Sequence, residues 1–324
     1  MSHAYPLLVA DIGGTHARFG VVHARGERPS DIRTIPGQEH PSLQSALQAY
    51  LAAVGGEPPR RVCIAVAGPV QPGHFILTNR PQWNTPLSVL KSAFKFELVD
   101  VINDFEALAG ALPLLERGER EPIGEPSTAA VADVLAVVGP GTGLGVGAAV
   151  RTRSGWQALP GEGGHVELAS PDPRARAAIG AASHYGRVSA ERFLSGPGLE
   201  LLHATLGAID GSPRQALDAA AIAKRADSGD EQARDTVAVF LKLLAGFAGD
   251  VALMLGARGG VFLSGGVIMR LRHFIDAQCF REDFENKGRL RSYMAAIPVN
   301  LIAIDTLALR GCALHLENLE GATE

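Results

Sequence analysis

The chain has 324 residues, 46% of them apolar, and a formal net charge of −4. That length supports one large domain or two ordinary ones with a substantial core, and a near-neutral balance without a long basic block excludes nucleic acid as a main partner. Three scattered cysteines, Cys63, Cys279 and Cys312, exclude a disulfide framework or a thiolate zinc site and point to a reducing, cytoplasmic compartment.

The N-terminal stretch MSHAYPLLVADIGG lacks a basic n-region and a long apolar h-region, so no signal peptide is expected. Leu7 to Ile12 is short and apolar, Gly13-Gly14 breaks it, and Arg18 to Val22 resumes, which predicts strand, turn and strand. Apolar residues at Leu43, Ala46, Leu47, Tyr50, Leu51 and Val54 have helical spacing, and Gly55-Gly56 ends the run. Strands follow at Arg61 to Ala67 and Phe75 to Thr78, a helix at Leu87 to Phe94, and a strand at Leu98 to Ile102. Asp104 opens a helix to Leu112. Residues 116 to 130 are polar with two prolines and read as a domain junction or an exposed crossing.

Strands return at Val134 to Val138, Leu144 to Val150 and Trp156 to Leu159. The uncharged run Val134 to Val150 holds Pro140 and five glycines, which suits a turn between strands better than a membrane helix. Glu231 to Gly256 reads as a buried helix, Gly260 to Leu263 and Val299 to Ile304 as strands, and Leu307 to Leu316 as a final helix. The class is α/β, with an antiparallel hairpin at the start of each half.

Glycine is in excess, 38 residues against a usual ~7%, and it gathers in loops after apolar runs. In Ala10-Asp11-Ile12-Gly13-Gly14-Thr15 a strand delivers Asp11 to its end and a small-residue turn follows. Such a turn points N–H groups and the Thr15 hydroxyl at a phosphate, and Asp11 suits a Mg²⁺-bound water. A plain hairpin turn fits the same residues. Gly139-Pro140-Gly141-Thr142-Gly143-Leu144-Gly145 repeats the design in the other half. Two halves that each present such a loop can clamp the phosphates of ATP, and the pairing favours that over two bare hairpins.

Val101-Ile102-Asn103-Asp104 ends an apolar strand in an amide and a carboxylate. A sugar kinase needs a carboxylate beside the attacking hydroxyl, yet Asp104 is also a sound helix N-cap and Asn103 a common strand-end residue. Gly161-Glu162-Gly163-Gly164-His165 places an acid and an imidazole in a loop of almost no other side chains, suited to vicinal hydroxyls. A Gly-rich bend with solvated charges fits as well, and one local histidine is too few for a metal site. Ser189 suits a helix cap, and spacing alone makes Glu191 a solvated residue of the first turn. Ser264-Gly265-Gly266 either lets an adenosine approach the backbone or simply turns the chain.

In order, LVADIGGTHARFG, LTNRPQW, INDFEALAGALP, GPGTGLGVG, LPGEGGHVELA, GRVSAERFLSGPGL, GGVFLSGGVIMR, FENKGRL and IPVNLIAID resemble the bacterial glucokinases of the actin-like, ribonuclease-H-related sugar kinases. The resemblance covers most of the chain. It implies a two-domain actin-like ATPase (ribonuclease-H-like) fold with an interdomain cleft, residues 1–114 plus 305–324 forming the small α/β domain and 115–304 the large one. It implies transfer from ATP to the 6-hydroxyl of glucose, with Asp104 as base and Asn103, Glu162, His165 and Glu191 holding the other hydroxyls. Asn79 would line the sugar cleft. ATP phosphates would lie on Ala10, Asp11, Ile12, Gly13, Gly14 and Thr15 and at Gly141 and Thr142, with adenosine near Gly265 and Gly266. Mg²⁺ would ride on the nucleotide without a protein metal site. The family further implies a homodimer whose glucose 6-phosphate feeds glycolysis.

GHVELASPDP carries no cysteine, which places the chain in the zinc-free branch. His16 stands where some relatives have Asn, and no role follows for it. Two other readings stay open. One is a kinase for another hexose or another phosphoryl donor. The other is a catalytically silent sugar-sensing regulator, although about six residues before the first strand leave no room for a DNA-reading module.

Overall fold

The computed structural model describes residues 5–14, 16–68, 70–71, 73–77, 80–125, 133–153, 155–212 and 216–321. They fall into two compact units, Met1–Leu115 with Ile304–Glu324, and Glu116–Ala303.

The first unit begins with strands β1 (Leu7–Ile12), β2 (His16–Val22) and β3 (Ser30–Pro36), helix α1 (Leu43–Val54) and strand β4 (Arg61–Val66). A two-residue pair, β5 (Val70–Gln71) and β6 (His74–Phe75), precedes α2 (Leu87–Phe94), β7 (Leu98–Asn103) and α3 (Asp104–Ala111). The sheet order is β3-β2-β1-β4-β7. The first three strands are an antiparallel meander, and β4 and β7 run parallel to β1.

The second unit holds β8 (Arg120–Pro122), β9 (Val134–Pro140), β10 (Leu144–Thr152), β11 (Gly155–Leu159), α4 (Pro173–Ala181), α5 (Gly196–Ile209), α6 (Ala219–Asp227) and α7 (Glu231–Leu255). It continues with β12 (Val261–Leu263), α8 (Gly266–Leu271), α9 (Ala277–Glu285), α10 (Arg291–Ala295) and β13 (Val299–Ile302). Its sheet order is β11-β10-β9-β12-β13-β8. From β11 to β13 the connectivity repeats that of the first unit: an antiparallel meander, then two strands parallel to its first member. The two glycine–threonine segments therefore occupy the same topological place, the turn between the first and second strands of each sheet. The chain then rejoins the first unit with α11 (Leu307–Gly321).

The first sheet is covered on both faces, which is why β1 and β4 read as unbroken apolar runs rather than alternating ones. Leu8, Ala10, Ile12, Val62, Ile64 and Val66 pack with Leu43, Leu47 and Tyr50 of α1. Leu7, Val9, Cys63 and Ala65 pack with Ala308, Leu309, Cys312 and Leu316 of α11. In the second unit α7 is the spine, 25 residues or roughly 38 Å long. Asp230 caps its start by accepting the Ala233 N–H. Among the described residues it is the one helix long and apolar enough to cross a membrane by length and composition, and 67% of that apolar window is buried within the fold.

Three expectations change. The stretch from Phe75 is no strand to residue 78: only His74–Phe75 pair, with Val70–Gln71, and Thr78 lies outside the described residues. The second unit does begin at Glu116, but within this polar stretch Arg120–Pro122 pair antiparallel with β13 at the sheet edge rather than crossing in the open. Strand β3 went unread because it is an edge strand with mostly exposed residues and no apolar period.

Register fixes which residues meet at the sheet ends. Ile12 aligns with Val66, and Val66 with Asn103. The turn after β1 and the start of α3 thus leave one edge about 10 Å apart, two strand spacings. In the second unit Val138 aligns with Leu263, so the turn after β9 and Gly265 share an edge.

Helix α11 packs on α3, β1 and β4, and it does so closely at Gly311, where a Cβ would overlap the Ala107 carbonyl. Glycine costs a helix interior about 1 kcal/mol, so Gly311→Ala gains that propensity. Overpacking against rigid backbone costs about 1–3 kcal/mol and wins. Urea unfolding should show Gly311→Ala to be less stable than the parent chain; equal or greater stability would mean that α11 is free to slide.

Candidate active site

In the first unit the β1–β2 turn is closed by the Gly13 N–H, which donates to the His16 carbonyl at 3.0 Å. His16 contributes that backbone oxygen while its side chain is exposed. Ala10 and Ile12 are fully buried, which leaves only their backbone atoms for a ligand. Thr15 and Asn79 lie outside the described residues.

Asp11 faces Arg18 across the hairpin. The Arg18 Nη1 stands 3.6 Å from the Asp11 carboxylate and its Nη2 2.9 Å from Asp305. Burial pushes the Asp11 pKa up to about 6, and the attraction of Arg18 only partly offsets it. A partly buried carboxylate held near its ionisation point suits a cation. Sequence reading missed Arg18. Hairpin arithmetic would have found it, because partners across this turn sum to 29.

At the end of β7 the helix N-cap is Asn103, not Asp104. The Asn103 side-chain oxygen accepts the Phe105 N–H at 2.8 Å and the Glu106 N–H at 3.4 Å. Asp104 is the first residue inside α3, half-buried, with its carboxylate accepting the Phe105 N–H at 3.0 Å. Asn103 caps through its side-chain oxygen, which leaves its NH₂ for donation.

In the second unit the turn Gly141–Gly143 is closed by the Gly141 N–H donating to the Gly143 carbonyl at 2.8 Å. The Gly141 carbonyl accepts the Gly196 N–H at 2.8 Å, which ties the turn to the start of α5. Thr142 is exposed at its tip. Gly265 lies beside this turn with φ of 100°, and a Cβ there would sit 2.5 Å from the Pro140 carbonyl. Backbone conformation and space both demand glycine at that point. Gly266 opens α8.

Glu191 corrects the reading of a solvated first-turn acid. It lies in a 3-10 turn, Ala190–Arg192, without a side-chain cap from Ser189. Its Oε2 accepts the Leu144 N–H at 2.9 Å, and its Oε1 is 3.9 Å from the His165 Nδ1. A Cβ on Gly143 would overlap this carboxylate. His165 ends the 3-10 turn Gly163–His165, which follows Glu162, and the Glu162 carbonyl accepts the His165 N–H at 3.0 Å. Thr142, His165 and Glu191 line one cavity of about 530 Å³, within the range of small-molecule sites. Glu162 is exposed and does not line it. Tyr185, Arg187 and Arg192 do, and the Arg187 Nη1 donates to the His165 carbonyl. Arg187 and Arg192 fall within the GRVSAERFLSGPGL segment, yet nothing in their local spacing singled them out, and Tyr185 ends the 3-10 turn Ala182–Tyr185 just before it. Among the described residues no group of three or more His, Cys, Asp or Glu could hold a metal ion.

A family model described as glucokinase matches residues 8–319. The chain belongs to the glucokinase family. A glucokinase of Aromatoleum aromaticum is 42% identical over 99% of this chain and 98% of its own length. One of Chromobacterium violaceum is 41% identical over 98% and 90%. The crystal structure of a glucokinase from an Antarctic psychrotroph is 37% identical, covers 97% of this chain and 99% of that one, and superposes with a TM-score of 0.86. The family has the two-domain actin-like α/β fold, which the repeated sheet topology here reproduces.

The raised Asp11 pKa carries a stability cost with a definite sign. An acid that titrates higher in the folded state than unfolded destabilises the fold when ionised, so the penalty is full above pH 6 and gone below about pH 4. Asp11→Asn removes the charge. By denaturant titration it should stabilise the ligand-free protein by about 3 kcal/mol at pH 8, and the gain should shrink as pH falls through 6. A gain that is flat with pH would place the Asp11 pKa at its ordinary value.

Proposed function

We propose that the chain transfers the γ-phosphoryl group of ATP to the 6-hydroxyl of glucose, with Asp104 as the base. Membership of the glucokinase family over nearly the whole chain carries the reaction and the sugar. The placement of Asp104 is what supports the role: a half-buried carboxylate on the sheet edge that also presents the Gly13–Gly14 turn.

Phosphoryl transfer asks little covalent chemistry of a protein and much positioning. The sugar oxygen forms its bond to phosphorus as the bond to the ADP oxygen breaks, and the hydroxyl proton passes to the Asp104 carboxylate. Asn103 donates its free NH₂ to a neighbouring hydroxyl, while Glu191, His165 and Glu162 accept from or donate to the others. Phosphates are read onto the Gly13–Gly14 turn of the first unit and the Gly141–Thr142 turn of the second, with adenosine against Gly265–Gly266. Mg²⁺ fits the carboxylate of Asp11 as a hard cation held through its water shell, and it would supply neutralisation of the phosphate charge. We place the enzyme in the cytoplasm as a homodimer whose product feeds glycolysis. In support, all three cysteines are free thiols, as a reducing compartment requires.

Removing a general base typically costs 10²–10⁴-fold in rate. Asp104→Asn should lower kcat by about that factor in a coupled assay with glucose and Mg-ATP, while calorimetry still detects glucose binding. Near-normal turnover would remove Asp104 from the chemistry, and a parent chain inactive on glucose would remove the reaction itself.

A further inference from the structure

Three arginines are buried among the described residues: Arg61, Arg80 and Arg281. Arg281 is well satisfied. Its Nε and Nη2 donate to Glu285 at 2.9 and 2.6 Å, and its Nη1 donates to the Ile297 carbonyl at 2.7 Å. Arg61 donates to the Leu316 carbonyl at 3.0 Å, within the field of Tyr5 and Glu97.

Arg80 is different. It is the most buried of the three, at 4% exposure, and no carboxylate among the described residues pairs with it. Its Nη2 makes one bond, donating to the Gly14 carbonyl at 3.0 Å, and its Nη1 is buried without a partner. The Trp83 ring lies 4.4 Å from its Cζ. Gly37 passes so close that a Cβ there would overlap the guanidinium. Burial draws the Arg80 pKa down, and no neighbouring acid counters it.

A buried cation without a counter-ion is costly to a fold and is normally paired or absent. Here the fold provides an aromatic face and a glycine to keep one in place. The acceptor of its single bond is the carbonyl of the turn read above as phosphate-binding. Holding that carbonyl restrains the turn at Gly14. The uncompensated charge also raises the potential at that turn.

We propose that Arg80 is a positioning residue for the nucleotide phosphates, holding the Gly14 peptide and supplying positive charge that a phosphoryl group, rather than a protein carboxylate, balances. The proposal rests on the reading of Gly13–Gly14 as a phosphate turn. It predicts an effect that scales with phosphate number.

Arg80→Met, Arg80→Lys and Gly37→Ala test it on the full chain with saturating glucose. Calorimetry would compare adenosine, ADP and the non-hydrolysable ATP analogue AMPPNP, each with Mg²⁺. Arg80→Met should weaken AMPPNP at least tenfold and ADP less, and leave adenosine and glucose within twofold. Arg80→Lys keeps the charge without the planar fork and should fall between Met and the parent. Gly37→Ala, which displaces the guanidinium from the far side of the fold's own packing, should reproduce the loss with Arg80 intact. If Arg80→Met does not fold by circular dichroism, the Lys and Gly37 variants decide. AMPPNP affinity equal to that of the parent chain, or an equal loss for adenosine, overturns the proposal. A parent chain that binds no AMPPNP fails the kinase reading instead.

Discussion

A parallel strand buried on both faces has no room for a polar side chain until it ends, and the rest of this molecule follows from that constraint. In the first unit β1 and β4 are buried along nearly their whole length, between the layer of α1 and that of α11. Polar chemistry is thereby pushed to the carboxyl ends of the strands, where parallel neighbours end side by side. Asp11, the Gly13–Gly14 turn, Asn103 and Asp104 all lie at that edge. In the second unit the turn at Gly141 and the backbone at Gly265 occupy the corresponding edge. The edge is narrow and the strands crowd it, so the groups that fit there are backbone amides, glycines and short carboxylates.

Crowding also explains why the site residues depend on one another. Glu191 reaches the Leu144 N–H only because Gly143 has no side chain in its path. The turn that carries Thr142 is held in turn by the Gly196 N–H at the start of α5, whose own first turn is capped by Ser195. The carboxylate proposed to hold the sugar and the turn proposed to hold a phosphate are therefore parts of one hydrogen-bonded assembly in the second unit. Disturbing either moves both.

Much of this was legible in the residues themselves, and the exceptions are informative. Glycine–threonine turns after apolar runs announce backbone that must approach something closely, and both turns stand where that pattern put them. The carboxylates were harder. Asp104 and Asn103 are both good N-caps, and local propensity cannot say which one caps; the backbone geometry at the end of β7 gives the task to Asn103. Glu191 looked solvated because its partner, the Leu144 N–H, is 47 residues away, and long-range contacts leave no mark on local spacing. Strand β8 was hidden for a related reason: Arg120, Glu121 and Pro122 have no strand pattern of their own and form one only because β13 offers an edge to pair with. The cavity-lining Tyr185, Arg187 and Arg192 come from two single 3-10 turns and the link between them, too short for a period to be read.

Charge placement separates the parts of the molecule that serve stability from those that serve the reaction. Lys287 is matched to Asp250 at 2.6 Å and to the Gly246 carbonyl at 2.8 Å, and Arg281 to Glu285 and three carbonyls. These groups are satisfied in the folded chain and ask for nothing more. At the β1 edge the accounting is left open. Asp11 is held where burial opposes its ionisation, and Arg80 keeps a buried nitrogen without a partner a few ångströms from the Gly14 carbonyl. A carboxylate that resists its charge and a guanidinium that lacks a counter-charge are both unfavourable in the empty protein. On the proposed reading, each would become favourable with a magnesium-bearing polyphosphate, the cation balancing Asp11 and the phosphate balancing Arg80. Binding energy that would otherwise be spent on desolvating the protein's own charges is then available to orient the transferred group.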